Sequence, residues 1–123
     1  MNLKAFRRRG ALSGLLVCLL SLTAFGHVFP DHSDPRVGSE VKGSPSMVKI
    51  WFDGALEPVF STLQVLDSSG KEVSREDSRV EEKDSTLLEV SVPSLPPGQY
   101  QVLWKVLARD GHLTEGKFSF TVK

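Results

Sequence analysis

Leu95-Pro96-Pro97-Gly98-Gln99-Tyr100-Gln101-Val102-Leu103-Trp104-Lys105-Val106-Leu107 is the stretch that decides the fold class. Its two prolines fix φ and Gly98 permits a positive φ, so the segment opens on a firm turn. From Gln99 onward the pattern alternates, and Tyr100, Val102, Trp104 and Val106 share one parity, which is the signature of a long strand with one buried face. Towards the C-terminus, Lys117–Lys123 repeats the alternation with Phe118, Phe120 and Val122 inward and Ser119 and Thr121 outward. Towards the N-terminus, Leu88, Val90 and Val92 form one core-facing set and Val48, Ile50 and Phe52 another. Leu63–Leu66 runs into Asp67-Ser68-Ser69-Gly70 and then Lys71–Val73, which reads as a hairpin. Residues 74–85 are charged and read as an exposed loop. No stretch sustains a 3.6-residue period, so the expectation is an all-β sandwich of about seven short strands. By parity, Phe52, Trp104, Phe118 and Phe120 belong to the core, while Trp51 and Phe60 are left to cover a site edge.

The chain has 123 residues, 15 basic and 15 acidic, which fits one domain. Residues 1–26 read as a removable secretory signal. A basic start (Lys4, Arg7, Arg8, Arg9) is followed by an apolar run from Ala11 to Ala24, then by small residues at Ala24 and Gly26. The run is too short for a comfortable membrane span of roughly 20 residues. The remaining domain, 27–123, has 15 − 4 = 11 basic against 15 acidic residues, formally −4. Without a Lys/Arg cluster, nucleic acid is not an expected partner. The single cysteine, Cys18, lies within the leader, so the domain has no thiolate for catalysis, disulfides or metal ligation. Export to the bacterial periplasm is expected, and cleavage after Gly26 makes His27 the first residue.

Reactive groups are few: His27, His32 and His112, no nucleophile elbow and no Gly-rich phosphate loop. Glu76-Asp77 and Glu81-Glu82 read as solvated loop charge. Two readings of Arg109-Asp110-Gly111-His112 stand side by side. One is an ordinary Asp-Gly turn with an exposed His112. The other is a metal half-site, since residues i and i+2 of an extended segment project to one side. A free N-terminal His27 completes that half-site with its α-amine and Nδ1. Three nitrogens and the Asp110 carboxylate then suit Cu(II). The amine must lose its proton to bind, so affinity weakens as pH is lowered. Met47 alone does not make a Cu(I) site and reads as a strand-edge residue, and His32 reads as a surface residue.

The residues resemble those of the CopC-type periplasmic copper resistance proteins over nearly the whole domain. The resemblance starts at His27. It continues through Ser33-Asp34-Pro35, Gly38-Ser39, Val48–Phe52 and Glu57-Pro58-Val59-Phe60-Ser61. It is densest from Leu95 to Trp104, at Asp110-Gly111-His112, and at Gly116 with Phe118–Val122. It implies a seven-stranded Greek-key β-sandwich with immunoglobulin-like, cupredoxin-like topology. It further implies a Cu(II) site on His27, Asp110 and His112, no enzymatic activity, and a CopD-type inner-membrane copper transporter as partner. Two departures stand out: Met-rich stretches are absent, and Phe29 occupies a position where some members carry a second histidine. Two other functions compete with copper buffering or delivery. One is a copper-dependent oxidative enzyme with a histidine brace, and the other is a metal-free immunoglobulin-like interaction module.

Overall fold

The computed structural model describes residues 27–123; the leader and Cys18 lie outside the described residues. The described residues form eight strands: β1 (Pro30–Asp34), β2 (Glu40–Val41), β3 (Met47–Phe52), β4 (Thr62–Leu66), β5 (Arg79–Val80), β6 (Leu87–Ser91), β7 (Gly98–Leu107) and β8 (Leu113–Val122). They form two four-stranded sheets ordered β1-β3-β6-β5 and β2-β8-β7-β4. The chain crosses repeatedly between the sheets, giving the expected β-sandwich. Eight strands stand where about seven were expected, and two of them, β2 and β5, are only two residues long. Pairing is antiparallel except between β2 and β8.

The parity reading carries over to the core. Val48, Ile50, Leu88, Val90, Val102 and Val106 are fully buried. Phe52 meets Trp104 edge-on at 5.3 Å and Tyr100 stacks on Phe120 at 5.7 Å. The Tyr100 hydroxyl donates to the Pro96 carbonyl at 2.6 Å, tying β7 to the turn before it. Gly116 lies opposite Trp104, and a Cβ there would stand 2.5 Å from the indole Cζ2, so only glycine lets the ring lie across β8. Phe118 is half-buried against the same core.

The segment 74–85 departs from the loop expected. It contains β5, and its polar groups pin neighbouring strands. The Ser74 and Ser78 hydroxyls accept the edge N–H groups of Val65 and Leu63 at 3.0 and 2.8 Å. Asp77 accepts the Ser91 N–H at 2.9 Å, and this hydrogen bonding holds its carboxyl below the usual carboxylate range. Arg79 pairs with the buried Glu89 at 3.0 Å. The strand register sets Asp34, Lys49, Glu89 and Arg79 in one row of alternating sign across the outer face of the first sheet. Paired in this way, Glu89 sits inside a sheet that parity alone gives only to its apolar neighbours. The expected hairpin forms as a single bridge, Leu66 to Glu72, around Gly70 at φ +88°.

Candidate metal centre

The site lies at the end of the sandwich where β7 turns into β8. Ala108 N–H donates to the His112 carbonyl at 2.9 Å and Gly111 N–H to the Ala108 carbonyl at 2.9 Å, closing a tight turn. Gly111 sits at φ +96°, in the left-handed region open to glycine. Asp110 and His112 meet through this turn, not through the strand parity expected from their spacing. Asp110 Oδ1 accepts the His112 backbone N–H at 3.1 Å and lies 3.1 Å from His112 Nδ1. Those hydrogen bonds, the backbone one first, hold the Asp110 carboxyl below its ordinary range. A His112 tautomer with its proton on Nδ1 donates to that carboxylate and carries its lone pair on Nε2.

His27 reaches the same place from the far end of the chain. Val28 is buried in the core, its carbonyl accepting the Thr114 hydroxyl at 2.9 Å across 86 residues of sequence. Phe29 is held on both sides by Asp53. The Phe29 N–H donates to Asp53 Oδ1 at 2.9 Å and the Asp53 N–H to the Phe29 carbonyl at 3.0 Å. The residue before these anchors therefore has little slack. The His27 and His112 rings stack 4.9 Å apart, and Phe29 lies beyond His27 at 6.1 Å. All three candidate ligands, His27, Asp110 and His112, thus come together.

They do not form a finished cage. Among the described residues, no group of three or more His, Cys, Asp or Glu is already arranged to hold a metal. The two imidazoles are stacked, and at least one must turn for both to direct nitrogens at one ion. The donor types fit copper, and the half-exposed Asp110 and His112 side chains leave the place open to an entering ion or partner.

The domain model that matches residues 31–123 is that of the CopC domain. The chain belongs to the CopC domain family. This family membership groups it with copper resistance and transport proteins, not with enzymes. Among solved structures it is similar to CopC from Methylosinus trichosporium OB3b. That match has 36% identity and a TM-score of 0.71, and covers 79% of this chain and 94% of the other. It is also similar to PcoC, a methionine-rich copper resistance protein from Escherichia coli, at 25% identity and a TM-score of 0.71, covering 80% and 100%. The copper transport protein CutJ of Bacillus subtilis is 28% identical over 109 residues, which is 88% of this chain and 20% of CutJ.

Sequence reasoning missed one feature of β1 and β3. His32 stacks on Trp51 at 4.5 Å, with Nδ1 of His32 3.0 Å from Asp31 Oδ2. The pair His32 and Trp51 are direct cross-strand neighbours, a relation visible only once β1 is placed against β3. Phe60 is exposed, and His32 covers a face of Trp51.

Proposed function

We propose that this CopC-family chain is a periplasmic Cu(II) carrier whose site is created by signal cleavage. Removal of residues 1–26 frees the α-amine of His27. That amine and the His27 imidazole chelate the ion, His112 supplies a further nitrogen, and Asp110 an oxygen. The observation that carries the reading is the convergence of His27, Asp110 and His112 at one end of the sandwich, with the two rings 4.9 Å apart. Three nitrogens and one carboxylate match the preference of Cu(II). The absence of any cysteine from residues 27–123 and the single Met47 argue against a Cu(I) role.

Copper is the cargo in this reading. The exposed turn lets an acceptor displace the ligands one at a time, so release proceeds by exchange without unfolding. The acceptor is a CopD-type inner-membrane transporter. CutJ supports that assignment, because a copper transport protein contains a region like this chain as one fifth of its length.

Electron paramagnetic resonance of the exported protein with one equivalent of Cu(II) tests the proposal. The expected spectrum shows couplings to several nitrogens. A spectrum with none, or a mass spectrum showing a first residue other than His27, overturns it.

A further inference from the structure

The two sheets treat their edges differently. On the β4 edge, the N–H groups of Leu63 and Val65 are taken up by the Ser78 and Ser74 hydroxyls. On the β8 edge, β2 covers only Thr121 and Val122, and Gly38 N–H adds one bond to the Ser119 carbonyl at 2.7 Å. Ser119, Thr121 and Lys123 bond towards the 38–41 segment, whereas the His112 carbonyl bonds towards Ala108. The alternation of an antiparallel ladder then turns the backbone groups of Glu115 and Lys117 away from β7. Among the described residues, no backbone hydrogen bond takes up those groups. Beside this edge, between β1 and β8, runs a groove of about 310 Å³ with Trp104 and Phe118 in its wall.

We propose that this edge pairs, antiparallel, with the same edge of a second copy of the chain about a two-fold axis at Gly116. The sequence Thr114-Glu115-Gly116-Lys117-Phe118 is self-complementary about that centre. Glu115 lies opposite the partner's Lys117, and Lys117 opposite the partner's Glu115. Both are residues whose backbone groups face the open edge, so each pair exchanges both N–H···O bonds. Sliding the register by two residues sets Glu115 against the partner's Glu115, or Lys117 against the partner's Lys117. Edge charges usually oppose strand addition. Here their opposite signs oppose the wrong registers and favour one. Gly116 at the axis adds no side chain where the two strands approach most closely. The two His112 residues lie on opposite sides of the axis, roughly 27 Å apart along the strand. Copper binding and self-association are therefore separable.

Sedimentation equilibrium of the exported protein tests the pairing. The expected result is a reversible dimer with a dissociation constant below about 1 mM. Glu115→Lys or Lys117→Glu alone places like charges opposite each other on both sides of the axis and weakens the dimer about tenfold or more. The double exchange restores it, and mixing the two single variants yields a heterodimer. In the unmodified protein, amide exchange at Glu115 and Lys117 slows as concentration rises. A monomer persisting at about 1 mM, a dimer indifferent to both reversals, a double exchange that stays weak, or exchange independent of concentration overturns the proposal. Copper titration of each variant should match that of the unmodified protein.

Discussion

Two imidazoles in this molecule have nearly the same neighbours and opposite prospects. His112 has Asp110 at 3.1 Å and a stacked ring at 4.9 Å; His32 has Asp31 at 3.0 Å and a stacked ring at 4.5 Å. In the first case the stacked ring is His27, with two nitrogens. In the second it is Trp51, whose indole N–H is a donor with no lone pair for a metal. The planes at His32 and Trp51 are within 8° of parallel, against 22° at His27 and His112. The His32 and Asp31 side chains are also more exposed, at 59% and 67% against 35% and 36% for His112 and Asp110. A carboxylate beside a histidine is therefore common ground. What separates a candidate copper centre from a surface stack is the nature of the second ring and how firmly the backbone delivers it.

That contrast can be broken most severely at the chain end. One extra residue before His27, or His27→Ala, removes the amine or the ring, and Cu(II) affinity measured by chelator competition should fall about a hundredfold or more. Asp110→Asn keeps the turn but removes the charge, and affinity should drop about ten- to a hundredfold. Trp51→His tests the contrast from the other side. It sets a second imidazole beside His32 and Asp31, and titration should reveal a second Cu(II) equivalent. Lacking an amine, that equivalent should bind about a thousandfold more weakly than the first. His32→Ala has the smallest effect on copper, with affinity unchanged within about twofold. It uncovers Trp51, and tryptophan emission should shift. A copper affinity that tracks His32 as closely as His27 would contradict the distinction between the two stacks.

The strands with alternating apolar residues were legible because one face of each is buried: the apolar sets of Val48–Phe52, Leu88–Val92, Gln99–Leu107 and Phe118–Val122 fall where parity puts them, and the buried Glu89 is the departure. β1 was not legible, because it begins with a proline, contains a bulge and buries only Ser33. β5 was hidden inside charged sequence because its partner contact is ionic, Arg79 to Glu89. At the site, the Asp110-Gly111-His112 turn could be read locally. The approach of His27 to His112 could not be derived from spacing, since it depends on burial of Val28 and on the distant Thr114 hydroxyl. The partnership of His32 with Trp51 likewise depends on a cross-strand register that no local pattern encodes.

Val28 is buried among the core residues while its immediate neighbour is a proposed ligand. Anything that grips His27 therefore pulls on the interior through a single peptide unit. Unfolding must withdraw Val28 and release the cargo together, so each increment of occupancy raises the melting temperature by mass action. Thermal denaturation thereby becomes a gauge of loading.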